Sequence, residues 1–273
     1  MNPNKYWAIL LGLLILLSAC DDDKVSTGFI KPATYYPMSI GSEWIYDREI
    51  ILKKYESDTS NIIIDIDTLI FTDRVWIDKD TILNDTMNVK VFKSQEAGNN
   101  WTSEQYMFLD NEGLKCYAYK NAGGPTVFLK NSIIKSKTIS LPFNGFEPML
   151  LKQTDSIILE PTPRLNIKLP LVLGSKWTYL YPNLHLNLQI DKEIIGFENI
   201  AINNNSFSCY KILWKYLNNP AFEGINIIDW VSYQGLIKRQ IIYNRTVFTD
   251  EQGHPMGYVQ NTETILIKEM KLK

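Results

Sequence analysis

The chain has 273 residues, with 28 Lys and Arg against 30 Asp and Glu and a formal net charge of −2. No basic field accompanies this balance, so nucleic acid and acidic polymers are excluded as partners. The length suffices for one large β domain or two small ones with a sizeable core.

In chain order, Lys5 precedes an apolar run from Tyr6 to Ala19. That run is shorter than the roughly 20 residues a membrane-spanning helix needs, and fits the apolar core of a secretory signal. It ends in Leu17-Ser18-Ala19-Cys20, which resembles the bacterial lipobox: aliphatic, small, small, Cys. The resemblance implies a diacylglyceryl thioether on Cys20, cleavage before it and acylation of the new amine. The implied partner is a membrane, held by two or three acyl chains, the number that stable anchoring takes. Residues 1–19 are therefore expected to be a lipoprotein signal peptide and 20–34 the lipidated Cys and its tether. Asp21-Asp22-Asp23 resembles the acidic export tag of surface lipoproteins in some Gram-negative groups. That implies the cell envelope, at the outer membrane or on its surface; the alternatives are retention at the inner membrane, which Asp after the Cys signals in other groups, and a plain solvated spacer.

Next comes a stretch that the chain uses twice. Pro37, Gly41, Trp44 and Tyr46 recur as Pro170, Gly174, Trp177 and Tyr179 at identical spacing, with Ser after each Gly. Gly-Ser predicts a turn with positive φ, and Trp-x-Tyr predicts a strand start with both rings on one face. A shared packing role is expected in both copies, the alternative being an aromatic platform for a sugar. The motif is similar to the Pro-x-x-x-Gly-x-x-Trp-x-Tyr opening of uncharacterised β-rich envelope lipoproteins, a resemblance that implies no activity.

Apolar residues alternate over short spans, as in Ile62–Asp67 and Thr264–Lys268, and no mature segment carries a long capped helical period. The expected fold class is all-β. Two tandem antiparallel meanders form curved sheets, half-barrel or sandwich-like, at 35–120 and 169–273, joined by a connecting segment at 121–168. Either the two sheets pack end to end, the arrangement favoured here, or they merge into one curled sheet. Residues 106–115 and 228–238 each read as a hairpin with Gly at the positive-φ position. Residues 48–72 read as a hairpin enlarged relative to the second half. Cys116 and Cys209 are read as buried free thiols, with a bond between the halves as the alternative in an oxidising compartment.

The catalytic inventory is thin. His185 and His254 have no second ligand at zinc spacing, and the acidic pairs Asp65/Asp67 and Asp78/Asp80 lack the register of a calcium loop. No nucleophile elbow, phosphate loop or dinucleotide fingerprint is present, so no catalytic residues, metal or cofactor are expected. The leading expectation is a non-catalytic envelope lipoprotein that binds or scaffolds, its partner an envelope protein. One alternative is a carrier of an acyl chain or other apolar ligand, in a cavity lined by residues such as Trp76, Phe92, Phe108, Trp214 and Trp230. Another is glycan binding, with Trp101 beside Asn99 and Asn100 as the candidate ligand-facing aromatic.

Overall fold

Each half begins with a tight turn of the same geometry. Gly41 has φ 80° and Gly174 has φ 81°, the conformation that only Gly adopts without steric cost. Ser42 N donates to Ser39 O at 3.1 Å, and Ser175 N to Val172 O at 3.0 Å. The turn then clips onto its neighbour. Gly41 N donates to Ile77 O at 2.8 Å while Ile77 N donates to Ser42 O at 3.0 Å; Gly174 N, Ile194 and Ser175 repeat the pattern at 2.9 and 3.0 Å.

The computed structural model describes residues 35–98, 100–121, 154–182, 188–218, 224–243, 245–249 and 254–273. Residues 1–34, where the signal peptide, Cys20 and the tether are expected, lie outside them, as do Asn99 and His185. The described elements are all strands. The first half is β1 (Glu43–Tyr55), β2 (Ile63–Leu83), β3 (Met87–Glu96), β4 (Ser103–Leu109), β5 (Gly113–Asn121) and β6 (Thr154–Lys168). The second is β7 (Lys176–Leu180), β8 (Gln189–Ile202), β9 (Asn205–Leu217), β10 (Asn226–Ser232), β11 (Gly235–Ile242), the short β12 (Thr246–Thr249) and β13 (Pro255–Lys271). β6 falls within the 121–168 segment and pairs with β5.

Every neighbouring pair is antiparallel. β1 and β13 pair along the whole length of β1, from Glu43 opposite Lys271 to Tyr55 opposite Tyr258. That pairing merges the halves into one 13-stranded sheet, ordered β6-β5-β4-β3-β2-β1-β13-β11-β10-β9-β8-β7, with β12 on β13. The single curled sheet is thus the arrangement found, and two sheets packed end to end are not. The sheet curls until its ends meet, as a nearly closed barrel. Side chains bridge the seam: Trp177 Nε1 donates to Leu165 O at 2.8 Å and Lys192 Nζ to Asn166 O at 2.9 Å.

A barrel of this many strands is wide, so its axis must be filled by long side chains or by plugs. Both devices are present. Trp44, Tyr46, Phe92, Leu114, Trp177, Tyr210 and Leu236 belong to one buried cluster drawn from strands all round the wall. Tyr36 and Met38, just before the first turn, pack against it, as Leu169 and Leu171 do before the second. Pro37 is buried between Tyr36 and Met38. A second cluster holds Tyr179, Ile190, Trp214, Ile227 and Tyr243.

Both motif indoles donate to backbone carbonyls of other elements. Trp44 Nε1 reaches Gln234 O at 2.8 Å, Trp177 Nε1 reaches Leu165 O, and Tyr46 OH reaches Leu236 O at 2.9 Å. Replacing Trp44 by Phe keeps an aromatic ring but strands the Gln234 carbonyl. A loss of about 1–3 kcal/mol is expected, read as a shift of the urea midpoint at unchanged slope.

Candidate functional site

The cross-strand register shows what the barrel wall presents inward. One row runs Phe71, Arg48, Ile265, Arg239, Asp229, Ile212 and Ile194. The adjacent row runs Ile50, Glu263, Ile241, Ile227, Trp214, Lys192 and Trp177. Charged groups therefore stand at inward slots among apolar ones, in a belt that two apolar clusters flank.

Arg48 is one focus of the belt. Its Nε lies 2.6 Å from Asp73 Oδ2, it also pairs with Glu96, and its Nη1 lies 3.9 Å from Glu263 Oε1. The guanidinium stacks on the Phe71 ring at 4.7 Å. Glu263 is fully buried, and neither of its oxygens has a hydrogen-bond partner among the described residues. Burial pushes its carboxyl up to about 8, against the pull of Arg48. Burial likewise raises Asp73 to about 6, with Arg48 opposing and Glu96 adding to the rise. The Asn261 amide and the Tyr243 hydroxyl are also buried without a hydrogen-bond partner among the described residues.

Asp229 is the second focus. Arg239 grips it with two hydrogen bonds, Nε to Oδ1 at 2.6 Å and Nη2 to Oδ2 at 2.9 Å, and Trp214 Nε1 donates to Oδ2 at 2.9 Å. Lys192 Nζ sits 3.6 Å from the Trp214 ring centroid and 4.3 Å from that of Tyr179. Burial drives the Lys192 amine well below its ordinary range, while Asp229 pulls the other way. Arg164 pairs with Glu160 at 2.5 Å, and burial raises Glu160 to about 7. These are ion pairs with aromatic walls, an arrangement that fixes side chains in place.

An interior cavity of about 50 Å³ lies between Phe92 and Met107 on one wall and Asp229 and Arg239 on the other, with Asn166 and Lys192 beside it. It has room for water, not for an acyl chain. The five residues proposed for an apolar cavity do not line one together among the described residues. Phe92 belongs to the main cluster and Trp214 to the second. Phe108 packs on a satellite cluster. Trp230 donates to Glu198 at 2.9 Å, and Trp76 to Asp78 at 3.4 Å.

A larger cleft of about 430 Å³ opens at the barrel rim, where the β8–β9 and β10–β11 turns meet the end of β13. Phe207, Ile267 and Met270 supply apolar surface there, and Asn203, Asn205 and Gln234 supply amides. The other sequence-marked residues are placed as follows. Trp101 is half-buried just before β4. Cys116 and Cys209 are free and buried, each thiol raised to about 12 by burial. Asp65 and Asp67 pair with Lys54, Asp80 with Lys90, and Asp78 with Lys93. His254 is exposed at the start of β13. Among the described residues no group of three His, Cys, Asp or Glu is placed to hold a metal ion, and no helix is long and apolar enough to cross a membrane.

Sequence reading missed Arg48, Asp73, Glu96, Glu263, Lys192, Asp229 and Arg239. The available signal was a charge at an inward position of an otherwise apolar alternation, as in Trp44-x-Tyr46-x-Arg48-x-Ile50.

No family model matches the chain, and no curated protein matches it. Among solved structures, a 2.70 Å crystal structure of a chain from Parabacteroides distasonis ATCC 8503, assigned as a lipoprotein, aligns with it at 12% identity. The alignment covers 88% of this chain and 100% of that one, with a TM-score of 0.37, too low to carry an argument about fold or function.

Proposed function

We propose that this is a non-catalytic lipoprotein of the cell envelope, anchored through Cys20, whose barrel serves as a binding or scaffolding body. The observation that carries the anchor is Leu17-Ser18-Ala19-Cys20 at the end of a short apolar run. Support for a non-catalytic role comes from the interior, where Arg48 is held by Asp73 and Glu96, and Asp229, Arg239 and Lys192 border a cavity with room for water only. An active site would instead turn such groups toward a cleft that admits substrate. Asp21-Asp22-Asp23 favours an outer-membrane or surface location. Fatty-acid labelling in a lipoprotein-exporting host tests the anchor. Label on the wild type is expected, with complete loss in Cys20→Ala. An unlabelled wild type would sink the proposal.

The rim cleft favours glycan binding as a second reading, since amides over an apolar floor suit a sugar ring. It shifts the candidate site from Trp101 to Phe207, Asn205 and Gln234. Among the described residues the interior cavity, at about 50 Å³, gives the apolar-carrier reading no support.

A further inference from the structure

β11 and β13 separate at the barrel rim. They pair from Lys238 opposite Leu266 to Ile242 opposite Thr262, although β11 starts at Gly235 and β13 runs on to Lys271. Where the ladder stops, the rings of the first motif copy take its place. Gln234 O accepts from Trp44 Nε1 at 2.8 Å, and Leu236 O accepts from Tyr46 OH at 2.9 Å. The rim cleft of about 430 Å³ opens at this split, and the β8–β9 turn also walls it. Its β10–β11 side is held firmly. Gln234 N donates to Ser232 Oγ at 3.0 Å, and a Cβ added at Gly235, with φ 115°, would lie 2.9 Å from Trp44 Nε1. Both backbone polar atoms of Gln234 are therefore fixed, and a fixed turn presents its side chain with less freedom to lose on binding.

The side-chain amides of Asn203, Asn205 and Gln234 line the cleft. Among the described residues none of the three is hydrogen-bonded within the protein. Each amide carries an acceptor and two donors, so the set calls for a ligand that supplies both kinds of group. The accessible apolar surface is aliphatic, from the half-buried Ile202 and Met270. Phe207, the one aromatic residue of the lining, is only 8% exposed, and a ring so covered offers no face on which a pyranose could stack. What remains is a niche for a small alkyl group beside the amides. Lys268 and Glu269 bring opposite charges, so the lining selects no ionic ligand. An acceptor, a donor and a methyl on one neutral group describe an acetamido substituent. We propose that the rim cleft recognises acetamido sugars. The amide side chains pair with the carbonyl and N–H of the substituent, and its methyl rests on Ile202 and Met270. This inference rests on the glycan reading of the cleft and narrows it to one class of sugar.

Calorimetric titration of the detergent-solubilised full chain with chitotriose and with cellotriose isolates the group in question. The two trimers share their linkage and differ only in the acetamido substituent at C2. Chitotriose is expected to bind with a Kd of about 1 mM or tighter, and cellotriose at least about tenfold more weakly. Asn205→Ala with Gln234→Ala truncates two accessible side chains. The melting temperature is therefore expected to hold while chitotriose binding weakens about tenfold. Equal binding of the two trimers would overturn the inference and leave the glycan reading in place. No binding of either at about 10 mM would remove both. Trialanine bound as tightly as chitotriose would assign the cleft to peptides and overturn the inference, as would chitotriose binding indifferent to the double change.

Discussion

Replacing Arg48 by alanine is expected to destabilise the barrel by about 3–5 kcal/mol at pH 8, the cost of leaving buried charge without its partner. Asp73 and Glu96 both engage this one guanidinium, and Glu263 lies beside it. Removing it also forfeits the stacking on Phe71 and opens a cavity. Arg48→Met separates charge from volume, because the thioether fills much of the space of the aliphatic stem. Its penalty is expected to be large at pH 8 and much smaller at pH 5, where the stranded carboxyls can take up protons. Urea unfolding at both pH values measures this. Equal penalties at the two values would show that packing, and not the ion-pair group, is what Arg48 supplies.

The second large effect is on the pH dependence of stability. Glu263 rises to about 8, Glu160 to about 7 and Asp73 to about 6, each chiefly through burial. A carboxyl whose folded value lies above its unfolded value binds more protons when folded. Its contribution is complete below the ordinary carboxylate range and is lost as pH rises through the folded value. These three groups therefore make stability fall between about pH 4.5 and pH 8, while Lys192, whose amine burial lowers, acts in the opposite sense as pH rises through its folded value. Glu263 has the largest share, on the order of 4 kcal/mol when its shift is converted. Glu263→Gln keeps the shape and the neutral state but cannot ionise. It is expected to match wild type near pH 5 and to exceed it at pH 8.5, flattening the profile. A variant profile parallel to that of wild type would mean that Glu263 titrates normally in the fold.

Strand and turn were legible locally. Gly41 and Gly174 sit where the backbone needs positive φ, and Trp-x-Tyr places both rings inward because side chains alternate along a strand. The hairpins closed at Gly113 and Gly235 were legible for the same reason. The ionic belt was not. Arg48 reads as one charged residue in a charged stretch, and its partners stand on β2, β3 and β13, which the fold alone brings together. The exposed edge of β2 was equally hidden. Ile62–Asp67 alternates like any half-buried strand, and only the short reach of β3 leaves it uncovered.

The amino-acid order by itself thus determined the all-β class, the paired glycine turns and the inward aromatic pairs. These depend on steric and period-of-two rules acting within a few residues. Tertiary structure alone decided that β13 closes on β1 into a single curled sheet, that the wide interior is filled by plugs and buried ion pairs, and that one isoleucine edge is left open. Those outcomes depend on pairings between segments more than two hundred residues apart in the chain. Their free energy comes from shared burial, to which no local pattern is sensitive.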